Sequence, residues 1–291
     1  MIYGAIDIGT NAARLLIGEV VKQNGHSFVK KISYTRIPLR LGIDVFDQGK
    51  ISENKTKDFI KTIQAFKLIS EVFHAEEIRV CATSAMREAE NGLDVKKQIF
   101  EATGVDVEVI DGDEEAHLIF GTFFLLDFDK STPFLVIDVG GGSTEISVFE
   151  SGQRITSKSF QVGTIRLLKN KEKKDVWEDI RKWILEYVDV NVGHKVFATG
   201  GNINKLHKMM DLKFMEPLKF RDLDEIHEKL KSLSIEQRME KYQLKEDRAD
   251  VIVPACEIYK YIMQEIRAKE LIIPKIGLSD GIIYDLYRRE N

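Results

Sequence analysis

The sequence of 291 residues contains few of the features that define secreted or membrane proteins. Its two cysteines, Cys81 and Cys256, are too few for a disulfide framework and lack the spacing of a zinc motif. Cys81 lies in an apolar segment, so we expect buried, inert thiols. No apolar run approaches the roughly 18 residues that a membrane helix needs. We therefore expect a cytoplasmic protein without a membrane partner.

The chain also has little excess of charge of either sign. The chain has 43 Lys and Arg residues against 47 Asp and Glu residues, which gives a formal net charge of −4. A protein of this kind does not attract nucleic acid through its overall field. We expect no nucleic-acid partner, and any polyanionic ligand must be bound by a local basic site.

The pattern of apolar segments predicts an α/β protein with two similar halves, each in the order βββαβαβα. In the first half, three hairpin-linked strands precede alternating helices and strands, including a strand at 105–110. The second half repeats this order from residue 134 and carries a helical insertion at about 203–268. We predict domains at 1–126 and 127–291, with the last helix, 281–291, able to pack back on the first domain.

A glycine-containing turn occurs once in each half and is the most informative feature of the chain. The copies read Asp7-Ile8-Gly9-Thr10-Asn11 and Asp138-Val139-Gly140-Gly141-Gly142-Ser143. Each lies between two apolar strands, which predicts a hairpin. Glycine lets the backbone come close to a ligand. Hydroxyl and amide side chains lie beside the exposed backbone N–H groups, and such a turn can bind phosphate oxygens. The candidate phosphate-binding residues are Gly9, Thr10, Asn11, Gly140, Gly141, Gly142, Ser143 and Thr144.

Two interpretations of these turns are open from the residues alone. A single Asp-x-Gly segment is commonly a simple connection between strands. Here the similarity extends further, because Ile6–Gly9 aligns with Ile137–Gly140 at an offset of 131 positions (138 minus 7). We therefore predict that both turns bind phosphate in a cleft between the halves. Asp7 and Asp138 are candidate ligands for hydrated Mg2+.

Basic and small residues extend the predicted site. Arg14 follows the first turn and can bind phosphate through two N–H groups, although it can equally be an outward-facing strand residue. Thr83, Ser84 and Arg87 open a helix, whose free N–H groups attract anions. The corresponding turn of the second half is Thr199-Gly200-Gly201. Thr83 and Ser84 can also serve only as helix caps.

An acidic turn, Asp111-Gly112-Asp113-Glu114-Glu115, is expected at the same cleft. Acidic residues in a first helical turn usually complement the helix dipole, and we expect this role for Asp113 and Glu114. A carboxylate that faces phosphate is best explained if it binds a metal or accepts a proton from water. His117, on a different helical face, is expected to be structural or exposed.

Together these motifs resemble those of the exopolyphosphatase and guanosine pentaphosphate phosphohydrolase (Ppx/GppA) family. The resemblance covers nearly the whole chain in the family's order. The blocks that carry it are Ile6–Asn11 with Arg14, Ala82–Ala89, Gly112–Ala116, Asp138–Glu145, Gly163–Leu167, Thr199–Gly201, Glu246–Asp250 and Leu278–Gly281.

The resemblance implies duplicated ribonuclease-H-like domains with the actin-like ATPase fold. It implies that Glu115 is the base that activates the attacking water, and that Arg14 and Arg87 bind terminal phosphates together with the two turns. Asp7 and Asp138 would hold Mg2+ or another divalent cation. A homodimer is expected by family analogy. Many members carry Arg where this chain has His117, and longer members continue into a C-terminal helical domain beyond the position of Asn291.

The expected reaction is hydrolysis of a terminal phosphoanhydride bond, with release of orthophosphate. Inorganic polyphosphate and guanosine pentaphosphate, a nucleotide of the stringent response, both contain this bond, and the residues do not choose between them. Two other functions stay open. One is an ATP-dependent kinase on the same fold, with Thr199-Gly200-Gly201 as part of an adenosine site. The other is a non-catalytic sensor of guanosine tetraphosphate or polyphosphate.

Overall fold

The computed structural model describes residues 1–23, 26–123 and 125–290. The described residues divide into two compact units. The first unit comprises Met1–Phe128 together with Ile276–Asn291, and the second comprises Asp129–Lys275. The C-terminal segment therefore belongs to the same unit as the N-terminal strands.

A five-stranded sheet forms the centre of the first unit. Its strands are β1 (Tyr3–Ile8), β2 (Ala13–Gln23), β3 (His26–Ile37), β4 (Glu77–Ala82) and β5 (Glu108–Val109). Their order across the sheet is β3-β2-β1-β4-β5. β1 pairs antiparallel with β2 and parallel with β4. All six residues of β1 are buried, as expected for a central strand that is covered on both faces.

The sheet of the second unit repeats this topology. Its strands are β6 (Phe134–Val139), β7 (Thr144–Glu150), β8 (Gln153–Phe160) and β9 (Lys195–Thr199), in the order β8-β7-β6-β9. Beyond β9, Ile272 forms a parallel bridge with Phe197, and its N–H donates to the Val196 oxygen at 2.8 Å. Ile272 thus occupies the place that β5 holds in the first sheet. The predicted duplication is confirmed.

Helices connect the strands of the first unit. They are α1 (Leu41–Gln48), α2 (Glu53–Val72), α3 (Ser84–Glu88), α4 (Gly92–Thr103) and α5 (Gly112–Phe123). α2 begins after Ser52, whose side-chain oxygen accepts a hydrogen bond from the Lys55 N–H and so caps the helix. α1 and α4 end at Gly49 and Gly104, which adopt the left-handed conformation that glycine favours.

The second unit carries two helices before β9 and a long helical insertion after it. The first two are α6 (Thr164–Leu168) and α7 (Val176–Tyr187). The insertion contains α8 (Gly201–Met209), α9 (Phe220–Lys231), α10 (Ile235–Tyr242), α11 (Glu246–Ala249) and α12 (Ile252–Glu265). Pro254 lies in the first turn of α12, where the missing N–H is tolerated. β10 (Leu218–Lys219) interrupts the insertion and pairs antiparallel with β11 (Glu270–Leu271).

Two local predictions were wrong, and two short helices were missed. The strand predicted at 105–110 extends only over Glu108–Val109. Before it, the Val105 N–H donates to the Thr103 hydroxyl at 3.1 Å and not to a neighbouring strand. The short helices α1 and α6 were not predicted, since five to eight residues contain too few apolar positions to show a helical period. β10 lies in a region predicted to be helical.

The last helix, α13 (Leu278–Glu290), packs against α5 within the first unit. It begins three residues before the predicted start at Gly281. Gly281 lies at the contact, because a Cβ added there would stand 2.2 Å from the backbone oxygen of Leu118. The two helices therefore approach each other more closely than any larger residue permits.

The cysteines are placed as the sequence predicts. Cys81 and Cys256 are free and buried, and burial raises the pKa of both thiols to about 12. They are therefore protonated and unreactive near neutral pH. Across residues 1–23, 26–123 and 125–290, no helix combines the length and apolar character needed to cross a bilayer.

We expect Gly281→Ala to lower the free energy of unfolding by about 1–3 kcal/mol, the usual cost of overpacking. The clash is with backbone, so it outweighs the helix-propensity gain of about 1 kcal/mol. Urea unfolding measures the change. Gly277→Ala is the matched control, because a Cβ at Gly277 meets nothing within 4 Å. Equal stability of the two variants would contradict the close helix contact.

Candidate active site

The first glycine turn is a hairpin between β1 and β2. Its ends are joined by a hydrogen bond of 3.1 Å from the Gly9 N–H to the Ala12 oxygen. The segment that leads into α1 supports the turn from outside: the Arg40 N–H donates to the Asn11 oxygen at 3.0 Å, and the Gly42 N–H donates to the Thr10 oxygen at 2.9 Å. The turn is therefore held in place by backbone contacts.

Asp7 and Arg14 lie directly opposite each other on β1 and β2 and form an ion pair. The distance from Arg14 Nη1 to Asp7 Oδ2 is 2.6 Å, and the side chains are 24% and 7% exposed. The residue predicted to bind metal and the residue predicted to bind phosphate thus contact each other. Arg14 therefore balances the charge of the Asp7 carboxylate without a metal ion.

The predicted β4 turn lies beside the first glycine turn. The Thr83 N–H donates to the oxygen of Ile8, the last residue of β1, at 3.1 Å. Thr83 makes no side-chain capping hydrogen bond, whereas the Ser84 hydroxyl donates to Glu88 at 2.8 Å. Arg87 Nη1 donates to the backbone oxygen of Ile110 at 2.6 Å, which ties this arginine to the segment before α5.

Glu115 lies in the first turn of α5, after the strand that pairs with β4. It is buried, with 8% of the residue exposed. Asp111 fixes the start of the helix, since its side chain accepts from the Glu114 N–H at 2.8 Å and its backbone oxygen accepts from the Glu115 N–H at 3.0 Å. β1, β4 and β5 run parallel, so the turns after them share one end of the sheet. The predicted residues of the first unit therefore lie at a common edge.

His117 and Glu114, which are close to Glu115 in the sequence, have different surroundings from it. His117 is exposed. Glu114 Oε1 accepts a hydrogen bond of 3.2 Å from Arg79 Nη2. Of the two adjacent glutamates, the buried one is Glu115.

The second glycine turn has the same internal geometry as the first. The Gly140 N–H donates to the Ser143 oxygen at 3.0 Å, and both positions follow those of the first turn at the 131-residue offset. Here α6 supports the turn: the Thr164 N–H donates to the Gly140 oxygen at 3.0 Å, and Arg166 Nε donates to the Gly142 oxygen at 2.7 Å. α6 thus takes the role that the start of α1 has in the first unit.

Thr144, a predicted phosphate-binding residue, directs its hydroxyl to the backbone within its own unit. It is fully buried, and its hydroxyl donates to the Val162 oxygen at 2.6 Å. This hydroxyl joins β7 to the segment before α6. Ser143, the preceding residue, closes the turn through its backbone oxygen.

Glu145 is a candidate site residue that the sequence analysis did not select. It pairs with Asp138 across β6 and β7, and carboxylate oxygens of the two lie within 4.8 Å. Glu145 is 3% exposed and accepts a hydrogen bond of 2.7 Å from Ser159. Like charges in directly opposite positions repel, so this pair favours a cation between them. The overlooked signal is the internal repeat, which places Glu145 where the first half has Arg14.

The donor chemistry of Asp138 and Glu145 fits a hard divalent cation. Mg2+ prefers carboxylate oxygens, one or two at a time, with water and phosphate oxygens completing its shell. Both residues belong to one unit, and the strand pairing fixes their separation. Asp138 and Glu145 could therefore hold Mg2+ beside the second glycine turn.

Gly200 follows β9 and lies beside Asp138 and the end of β6. Its φ of 120° is one that other residues avoid, and an added Cβ would lie 2.7 Å from the Val139 oxygen and 3.3 Å from Asp138 Oδ1. Tyr259 of α12 donates its hydroxyl hydrogen to the Thr199 oxygen. Burial, followed by the nearby Asp138 charge, raises the pKa of Tyr259 well above its usual value, so the phenol stays neutral.

We expect Gly163→Ala to weaken tripolyphosphate binding by about tenfold or more, about 1.4 kcal/mol. The added Cβ would stand 2.5 Å from Gly141 C and Gly142 N, so the second turn must move. Isothermal titration measures the affinity. Gly193→Ala is the control, because a Cβ at Gly193 has no neighbour within 4 Å. Unchanged affinity in Gly163→Ala would show that the turn does not bind phosphate.

Comparison with known proteins places these features in a family. A sequence model of the Ppx/GppA phosphatase family matches residues 20–290. Over 167 residues, 57% of this chain, the sequence is 31% identical to exopolyphosphatase 1 of Mycobacterium tuberculosis, of which this segment is 48%. Over 168 residues it is 35% identical to a bifunctional 3-dehydroquinate synthase/phosphatase of Fusobacterium nucleatum, 25% of that protein. The matches span a quarter to about half of these relatives.

Solved structures show the same fold along the whole chain. A Ppx/GppA family member from Aquifex aeolicus superposes with a TM-score of 0.78 at 21% identity, covering 100% of this chain and 99% of that one. An exopolyphosphatase from Cytophaga hutchinsonii superposes with a TM-score of 0.83 at 22% identity, covering 99% and 98%. The fold is therefore the duplicated actin-like fold. Because the family match extends over nearly all of its residues, this chain belongs to the Ppx/GppA phosphatase family.

Proposed function

We propose that this protein hydrolyses a terminal phosphoanhydride bond and releases orthophosphate from inorganic polyphosphate or guanosine pentaphosphate. The observation that carries the proposal is the buried Glu115 residue, which lies in the first turn of α5 at the sheet edge that also holds the first glycine turn. Family membership and the exopolyphosphatase relatives support the reaction class. Attack of water on the terminal phosphorus breaks the anhydride and produces orthophosphate and a chain shorter by one phosphate.

Each group of residues has a separate task in this proposal. Glu115 accepts a proton from the attacking water. The two glycine turns, with Thr83 and Ser84, bind phosphate oxygens, and Arg14 and Arg87 balance the charge that develops on them. Phosphoryl transfer depends chiefly on positioning and electrostatics, which suits turns that are held by backbone hydrogen bonds.

A divalent cation completes the proposed site. Asp138 and Glu145 would hold Mg2+, or another hard divalent ion, through their facing carboxylates. When bound, the ion neutralises negative charge on the phosphate oxygens. Asp7 contributes less directly, because it pairs with Arg14.

We expect Glu115→Gln to lower kcat by about 10²- to 10⁴-fold, the usual cost of losing a general base. Phosphate release is measured with long polyphosphate, short polyphosphate and guanosine pentaphosphate in parallel, which also ranks the substrates. Asp113→Asn is the control, since it removes an exposed carboxylate from the same helical turn. Full activity in Glu115→Gln would rule out its role as the base.

We expect Glu145→Gln to raise the Mg2+ concentration needed for half-maximal activity by at least about 10- to 100-fold, the loss seen even for groups that only support metal ligands. The thermal stabilisation of the protein by Mg2+ should shift in the same direction. Glu150→Gln, at the exposed end of β7, is the control. An unchanged Mg2+ requirement would remove Glu145 from the proposed cation site.

The same assays test the other two functions. Tight ATP binding with transfer of phosphate to a sugar would favour a kinase, and binding of all three substrates without phosphate release would favour a sensor. We also propose a cytoplasmic location and a homodimer. Light scattering on the purified protein tests the homodimer directly.

A further inference from the structure

A buried arginine of β4, Arg79, contacts three carboxylates from three different elements. Its side chain is only 6% exposed. Nε and Nη2 bind Glu108 of β5 at 3.0 and 2.8 Å, Nη2 also reaches Glu114 of α5 at 3.2 Å, and Nη1 binds Asp285 of α13 at 2.8 Å. The guanidinium therefore links the strand before α5, the first turn of α5 and the helix that packs against α5.

We propose that Arg79 is a positioning residue: through Glu114 it fixes the first turn of α5 and thereby the direction of the Glu115 carboxylate. The proposal rests on the function proposed above, in which Glu115 accepts a proton from water. It assigns different tasks to the two adjacent glutamates. Glu114 anchors the helical turn, and Glu115 acts on the water.

The geometry suits a fixed anchor. The planar guanidinium bonds in three directions at once, which a lysine ammonium on a flexible stem does not reproduce. The three partner carboxylates remain partly in water, with side chains 43%, 39% and 27% exposed, whereas the cation is buried. Its own strand and the surrounding packing thus hold Arg79 in place, and the acidic groups are drawn to it.

Polar contacts hold the first turn of α5 from two directions. Asp111 holds its backbone N–H groups, and the Arg79–Glu114 contact holds it from the side. A displacement of about 1 Å in a reacting group can cost about 100-fold in rate. A small rotation of this turn would therefore reduce catalysis without removing any group that touches the substrate.

The test compares Arg79→Lys and Glu114→Gln with wild type in steady-state phosphate release. We expect kcat to fall about 10- to 100-fold in both, with KM changed less than twofold, because binding residues are intact while the base is misdirected. The double variant should be no slower than the slower single variant, since both substitutions disrupt the same Arg79–Glu114 contact. Arg289→Lys is the matched control: Arg289 binds the same Asp285 at 2.8 Å, but its side chain is half-exposed and this ion pair lies within α13.

The outcomes separate this proposal from the one on which it rests. If wild type releases no phosphate, or Glu115→Gln is fully active, the proposed function fails. If Glu115→Gln is inactive while Arg79→Lys and Glu114→Gln keep the wild-type kcat, only the positioning role fails. An equal loss in Arg289→Lys, or effects of the two single variants that multiply, would also overturn it. Should Arg79→Lys not fold, Glu114→Gln alone decides, because its side chain is partly exposed.

Discussion

The register of the central hairpin in each unit is the constraint on which the candidate site depends. Side chains alternate along a strand, so the last charged residue of the central strand must share a face with its partner across the ladder. In the first unit this places Asp7 opposite Arg14, and in the second it places Asp138 opposite Glu145. A slip of one residue would turn these groups to the other face. The same strand pairing thus produces an ion pair, Asp7–Arg14, in one copy and a pair of carboxylates, Asp138 and Glu145, in the other.

The two copies hold their turns with different elements but in the same way. In both, backbone N–H groups of a following segment donate to carbonyls of the turn, from Arg40 and Gly42 in the first unit and from Thr164 and Ile165 in the second. Backbone groups thus make most of these supporting contacts, and in the second unit the Arg166 side chain adds one more, to the Gly142 oxygen. This arrangement also requires close backbone approach, which explains glycine at position 163.

Most of the fold could be predicted from the sequence because the central strands, β1 and β6, are apolar runs and the long helix α2 shows a clear period. The duplication was visible because both hairpins kept their motif at a constant offset. Short elements such as α1, α6 and β10 could not be predicted, since their stability comes from tertiary contacts rather than local pattern. Glu145 and Arg79 were missed for a related reason. Each looks like a single charge in an apolar strand, and only the strand pairing and the packing of α5 show what it contacts.

The placement of α13 has a consequence for the order in which the protein can fold. Leu278, Ile282, Ile283 and Leu286 are buried in the first unit, where α13 packs on α5 and on the β1–β2 hairpin. A ribosome makes β1 long before α13, so the sheet of the first unit leaves the exit tunnel without the helix that covers it. The second unit has all of its elements earlier, within Asp129–Lys275. During synthesis the first unit therefore keeps apolar surface uncovered until the second unit has been made and α13 emerges.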